Sequence, residues 1–132
     1  MNTVIIKVKD ETGSRKVYNE IDISFDRSSI TVKDLIEARV FHEVNLYNKK
    51  LPEYFNGLVQ PTNAEKTLNG YRLRDRKKID PEKQVYIALD AFQKNGYFIL
   101  IDNKQADELE QEIVLSPSTK VSFIKLTPLV GG

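Results

Sequence analysis

The sequence closes on Leu126-Thr127-Pro128-Leu129-Val130-Gly131-Gly132, an apolar run followed by two glycines. Glycine has no Cβ, so such an end can lie extended in a slot too narrow for any side chain. An enzyme could close around Gly131 and still reach the carboxylate of Gly132. A carboxylate is a poor acceptor for nucleophiles until it becomes a mixed anhydride, so this end is a candidate substrate for activation, not a catalyst. The opposing reading is a frayed terminus, because chain ends are commonly disordered.

Nothing else in the sequence assembles into catalytic machinery. Cysteine is absent, which removes disulfides, thiolate metal sites and a thiol nucleophile. His42, the single histidine, sits beside Glu43 with no discernible metal or triad partners and reads as a surface or packing residue. Asp107-Glu108-Leu109-Glu110-Gln111-Glu112 lacks the spaced oxygen ligands of a calcium loop and reads as a solvated acidic turn. Arg72-Leu73-Arg74-Asp75-Arg76-Lys77-Lys78 has no interleaved aromatic platform and reads as a solvated loop or helix lead-in. Twenty basic and 19 acidic residues give a net charge of +1, which makes no electrostatic case for nucleic acid or membrane partners. No run approaches the length of a membrane span, and the N-terminal apolar run is too short for a signal peptide. A cytoplasmic location is expected. An independent enzyme is not.

The elements that must present the end are legible from periodicity. At 132 residues, 40% hydrophobic and 30% charged, the chain suits one globular domain, placed at 1–126 with a tail over 127–132. Residues 3–9 and 15–25 alternate as two strands joined by a turn at Asp10-Glu11-Thr12-Gly13-Ser14, which predicts a hairpin. Thr31, with Asp34 three residues on, is a capping box. Val32, Leu35, Ile36, Val40, Val44 and Tyr47 then fall on one helical stripe. Residues 49–79, punctuated by Pro52, Gly57, Pro61 and Gly70, are too apolar for a free linker and are expected to pack on the domain.

Asp80-Pro81-Glu82 starts a second helix, and Asn95-Gly96 ends it. A wholly apolar strand at Tyr97–Ile101, a partner piece at Lys104-Gln105-Ala106, a short extended piece at Gln111–Leu115 and a last strand from Lys120 to Leu126 follow. Hairpin, helix and further strands predict an α+β fold. If the last strand lies beside the first, the sheet is mixed.

This order resembles the ubiquitin-like β-grasp superfamily. Ile99-Leu100-Ile101-Asp102-Asn103-Lys104-Gln105 is similar to the apolar strand, polar turn and Lys-Gln in the middle of ubiquitin, and to the matching piece of the sulfur carriers. Val121 to Gly132 resembles the C-terminus of the molybdopterin synthase small subunit. Residues 49–79 depart from the family, being longer and more apolar than a minimal sulfur carrier, and fit bacterial ubiquitin-like proteins better.

The resemblance implies a ubiquitin-like β-grasp with a mixed sheet, one main helix, and an inserted second helix and loop. It implies that Gly131 and Gly132 are the conjugation terminus and that Thr127, Pro128, Leu129 and Val130 are read by partners. The chain would bind no cofactor itself. A ubiquitin-activating-like adenylating enzyme would use ATP and magnesium on the Gly132 carboxylate. A conjugating enzyme, a JAB-type metalloprotease and target proteins complete the implied partners. The acyl group would pass through a thioester to target amines, making a protein modifier, or take up sulfur as a thiocarboxylate, making a sulfur carrier. A β-grasp interaction module with incidental glycines is the third reading.

By the same resemblance Ile99 and Ile101 would face the helix and Leu100 would face outward. Phe98, Leu100, Ile124 and Leu126 are then expected to form an exposed partner patch. The alternative is that the 49–79 excursion folds over that face and buries them.

Overall fold

A computed structural model describes residues 3–62, 64–67, 70–73 and 77–126. The elements are β1 (Val4–Thr12), β2 (Val17–Phe25), β3 (Ser29–Thr31), α1 (Val32–Lys50), β4 (Tyr54–Phe55), β5 (Ala64–Thr67), β6 (Gly70–Leu73), α2 (Pro81–Gln93), β7 (Tyr97–Ile101), β8 (Lys104–Gln105), β9 (Glu112–Val114) and β10 (Lys120–Lys125). The expected α+β architecture is present. Five strands form a mixed sheet in the order β2-β1-β10-β7-β8. Its centre is the parallel pair β1–β10, from Lys7 opposite Lys120 to Thr12 opposite Lys125, and the other pairings are antiparallel.

The pleat sorts side chains between two faces. Ile6, Val8, Ile23, Phe25, Tyr97, Ile99, Val121 and Phe123 are buried on the inner one. Against them lies the α1 stripe of Val32, Leu35, Ile36, Val40, Val44 and Tyr47, all buried as expected. The Thr31 hydroxyl accepts from the Asp34 N–H, and the Asp34 carboxylate accepts from the Thr31 N–H, completing the capping box. Two further N–H groups at this end, those of Val32 and Lys33, donate to the carbonyls of Gln111 and Leu109. The strand pair β3–β9 thereby clamps a helix start whose donors have no partner within the helix. Asp80 caps α2 by accepting from the N–H groups of Glu82 and Lys83, with Pro81 next in line.

Two local expectations need correction. The first turn does not begin at Asp10, because β1 runs on to Thr12. A β-bulge there places Asn19 opposite Asp10 and Val17 opposite Glu11, leaving Tyr18 as the extra residue. Such a bulge lets consecutive polar residues continue a strand while re-aiming their side chains.

The excursion, in turn, is more than a loop. β4, β6 and β5 form their own antiparallel sheet, which pairs with no strand of the larger one. Phe55, Leu58, Tyr71 and Leu73 are buried in it. Phe55 stacks edge-to-face on Tyr47 of α1, with ring centroids 5.4 Å apart. Gly57 is required by this packing, because a Cβ there would lie 2.1 Å from the Phe55 ring.

The excursion is tied to the helices by polar contacts. Asn48 and Ile79 exchange two hydrogen bonds, and the Gln84 side chain donates to the Val59 carbonyl. These ties hold the described part of the excursion against the helices.

Candidate functional site

The outer face is divided. On β1 and β2 it carries Ile5, Lys7, Lys9, Glu20, Asp22 and Ser24, with Lys7 and Glu20 paired at 3.7 Å. On β7 and β10 it becomes apolar. Phe98 and Leu100 alternate with the buried Tyr97 and Ile99, and Ile124 alternates with the buried Phe123. Ile124 pairs with Phe98 across the ladder, and Ser122 with Leu100, so three of the four expected patch residues come together. All three are half-buried. Leu126 is 51% exposed and lies at the rim, its Cδ2 3.6 Å from where a Gly13 Cβ would stand. Ile99 is fully buried and Ile101 packs against the core, both in the expected inward phase.

The border between the two halves is Glu11, opposite Ile124 in the β1–β10 register. Its carboxylate accepts from Arg15 Nε at 2.6 Å. Burial works to raise the pKa of this carboxyl, but hydrogen bonds from Arg15 and Ser122 outweigh it and hold it below the usual range. A fixed carboxylate thus edges the apolar patch. The remaining candidates, Thr127, Pro128, Leu129, Val130, Gly131 and Gly132, lie outside the described residues.

The sequence reading overlooked a charged cluster beneath the inner face. Arg39 of α1 is fully buried and reaches both carboxylate oxygens of Asp10, Nη2 to Oδ2 at 2.6 Å. Its Nε donates to Glu43 at 3.3 Å, and its guanidinium lies 4.6 Å from the centroid of the Phe123 ring. Asn19 also donates to Asp10, and the Leu58 N–H donates to Glu43, bringing the excursion into the network. Lys125, at the end of β10, completes it. Its ammonium donates to the Gly57 carbonyl at 2.8 Å and stands 5.4 Å from the Tyr71 ring centroid.

Burial raises the pKa of Glu43 despite the attraction of Arg39. Burial would lower that of Arg39, but the charges of Glu43 and Asp10 raise it. Burial, then Arg39, push Lys125 down to about 8. Tyr18, the bulge residue, has its phenol pushed up by burial and then by Asp10.

A signal for this cluster was in the sequence. Asp10 keeps the inward phase of Ile6 and Val8, Lys125 that of Val121 and Phe123, and Arg39 and Glu43 stand four apart within the helical stripe.

His42 is half-buried on α1. Among the described residues, no group of three or more His, Asp or Glu side chains is placed to hold a metal ion. No described helix is long and apolar enough to cross a membrane. Comparison with protein-family models, curated proteins and solved structures finds no match to this chain.

Proposed function

We propose that the chain is a ubiquitin-like protein modifier of the β-grasp kind, activated at Gly132. The observation that carries the reading is the central parallel pair β1–β10 in the order β2-β1-β10-β7-β8, with α1 across the inner face. This is the arrangement implied by the resemblance over 99–105 and 121–132. It brings the strand that leads into the tail to the middle of the sheet. The same strand and its neighbour β7 carry Phe98, Leu100 and Ile124, so a docking face adjoins the route to the tail. Apolar side chains gathered side by side on an outer sheet face are the usual substance of an interaction surface.

In this reading the domain is the address and the end is the reactant. An adenylating enzyme docks on the apolar half of the outer face. The Gly132 carboxylate attacks the α-phosphate of ATP and releases pyrophosphate. An enzyme thiol then displaces AMP, and a target amine displaces the thiol to give an isopeptide. Beyond that carboxylate, no step requires a nucleophile or base on this chain.

The test is incubation of the full chain with ATP, magnesium and a candidate adenylating enzyme, read by intact mass and peptide mapping. Gly132 joined to an enzyme cysteine and then to lysine amines is expected. Replacement of a carboxylate oxygen by sulfur would turn the reading to a sulfur carrier. An unmodified Gly132 with every such enzyme would leave a non-catalytic interaction module.

A further inference from the structure

The larger sheet ends at β2, which pairs with β1 and with no other described strand. Its far edge runs without interruption from the bulge at Tyr18 to Phe25. A strand edge is a row of backbone donors and acceptors that a further strand can meet, and proteins commonly blunt such rows with lysine, proline, bulges or a short length. β2 carries neither lysine nor proline, and its bulge blunts one end alone. Tyr18, Glu20, Asp22 and Ser24 are exposed along it.

A cavity of about 500 Å³ opens beside this edge, between the end of β2 and the flank of α1. Phe25 and Ala38 line it, and Phe41 stands 38% exposed in its wall, a large ring facing water on a helix whose other aromatic, Tyr47, is buried. Asp26, Asp34 and Glu37 bring three carboxylates to the same walls against one base, Arg27, which is already paired with Asp34 at 3.0 Å. Glu37 is loosely paired with Lys33 at 3.9 Å, and Asp26 forms no ion pair with any described residue.

An added strand would lie about 4.8 Å from β2, with side chains alternating between the two faces of the sheet. One set would continue the inner phase of Ile21, Ile23 and Phe25 and meet the α1 flank at Ala38 and Phe41. The other would continue the outer phase and stand beside Glu20 and Asp22. The first set of positions asks for apolar side chains and the second for basic ones.

The same charges argue against a second copy of this chain as the occupant. Antiparallel pairing of two β2 edges about Ile21 sets Glu20 against Asp22, and pairing about Asp22 sets that carboxylate against its own copy. Like charges directly opposite one another destabilise a strand pair.

We propose that β2 and the adjoining flank of α1 bind an extended segment of a partner protein as a sixth strand, one in which apolar residues alternate with lysine or arginine. Main-chain hydrogen bonds supply the affinity of such an addition, and the alternate side chains supply its selectivity. The edge lies at the opposite end of the sheet from β7 and β8, and the proposal does not rest on activation at Gly132.

The test is titration of the full chain with the peptide acetyl-Gly-Val-Lys-Val-Arg-Val-Lys-Gly-amide, followed by amide shifts in ¹H–¹⁵N spectra and by hydrogen exchange. Three control peptides accompany it. One has glutamate at every basic position, one has its valines contiguous, and one is N-methylated throughout its centre, which removes the donors a ladder needs. Saturable shifts confined to residues 19–27 and 34–41 are expected, with slowed exchange along β2 and each control about tenfold weaker or more.

Asp26→Lys/Glu37→Lys reverses two charges on the cavity wall and should weaken the basic peptide about tenfold. Phe41→Ala, at an exposed position, should weaken it while keeping the preference over the acidic control. Equal binding of the acidic, contiguous or N-methylated peptide would overturn the charge, the alternation or the strand pairing in turn. No saturation by about 1 mM peptide, or shifts centred on β7 and β10, would overturn the proposal outright. So would sedimentation of the free chain as a dimer with protected β2 amides, which would give the edge to a second copy.

Discussion

The five-stranded sheet and the small sheet β4-β6-β5 are held to the same helices by different means. The large sheet lays a continuous apolar face on α1, with Ile6, Val8, Ile99, Val121 and Phe123 all buried. The small one and the loops around it meet α1 through the Phe55 ring and single polar ties to Glu43 and Asn48, α2 through a tie to Gln84, and β10 through Lys125. Apolar burial is non-directional and tolerates small shifts, whereas each polar tie demands one geometry and leaves a buried group unsatisfied when lost. The large sheet is accordingly the platform, and the excursion is a fitted part keyed to particular side chains.

The sharpest way to break the platform is Phe123→Ala, which empties a fully buried ring position between Tyr97 and Arg39. Urea unfolding should show a loss of about 3–5 kcal/mol. Arg39→Met strikes the junction of the two regions. It leaves Asp10 and Glu43 as buried, unmatched carboxylates and should cost about 3 kcal/mol, with the loss shrinking in acid as Glu43, whose pKa burial already raises, protonates. A loss below about 1 kcal/mol at neutral pH would mean that the cluster is hydrated in solution.

Gly57→Ala attacks the excursion alone, driving a Cβ into the Phe55 ring. A cost of about 2 kcal/mol is expected, with amides of β4 and β6 losing hydrogen-exchange protection while those of β1 and β10 keep theirs. Equal loss in both sheets would mean that the two unfold as one unit.

Lys125→Met sharpens the comparison through pH. The amine is held at about 8 in the fold, below the ordinary lysine value of 10.5, chiefly by burial. Between those values the unfolded chain binds more protons than the folded one, so this group's contribution to stability rises with pH across that window. Below pH 8 the penalty of burying the charge is fully present. The variant should therefore be about 1 kcal/mol more stable than the parent at pH 7, after the lost Gly57 bond is deducted, and should forfeit that advantage by pH 10.5. A constant difference across the range would show that the amine is not buried in solution.

Phe98→Ser is the gentlest change. Half-buried on the outer face, it should alter stability by no more than about 1 kcal/mol and, under the function proposed above, weaken capture by an adenylating enzyme.

The two regions also differ in how far their sequences reveal them. In the platform, period and position agree. The alternation of β2, the Thr31 capping box, the six-residue stripe of α1 and the Asp80-Pro81 start of α2 each carry a local physical signal. The excursion strands are two to four residues long, and β5 reads Ala-Glu-Lys-Thr, which is too short and too polar to show a pleat.

The charged cluster was hidden for another reason. Asp10 and Glu11 read as turn formers, and only the bulge at Tyr18 keeps them in a strand with one carboxylate on each face. For the candidate site, alternation separated Phe98, Leu100 and Ile124 from their buried neighbours. It could not decide whether the excursion lay over them, because that depends on contacts distant in sequence.

The parallel pairing of β1 with β10 also governs the order of assembly. Lys7 must find Lys120 across nearly the whole chain, a long loop to close and a slow kind of contact to form. A nascent chain has no middle strand until residue 125 has been added. Until then the edges of β1 and β7 stand bare, open to pairing with another unfinished molecule. Completion of the sheet is thus its own proofreading: a chain cut short of β10 can form the hairpin and both helices, yet offers no closed sheet for a partner to grip.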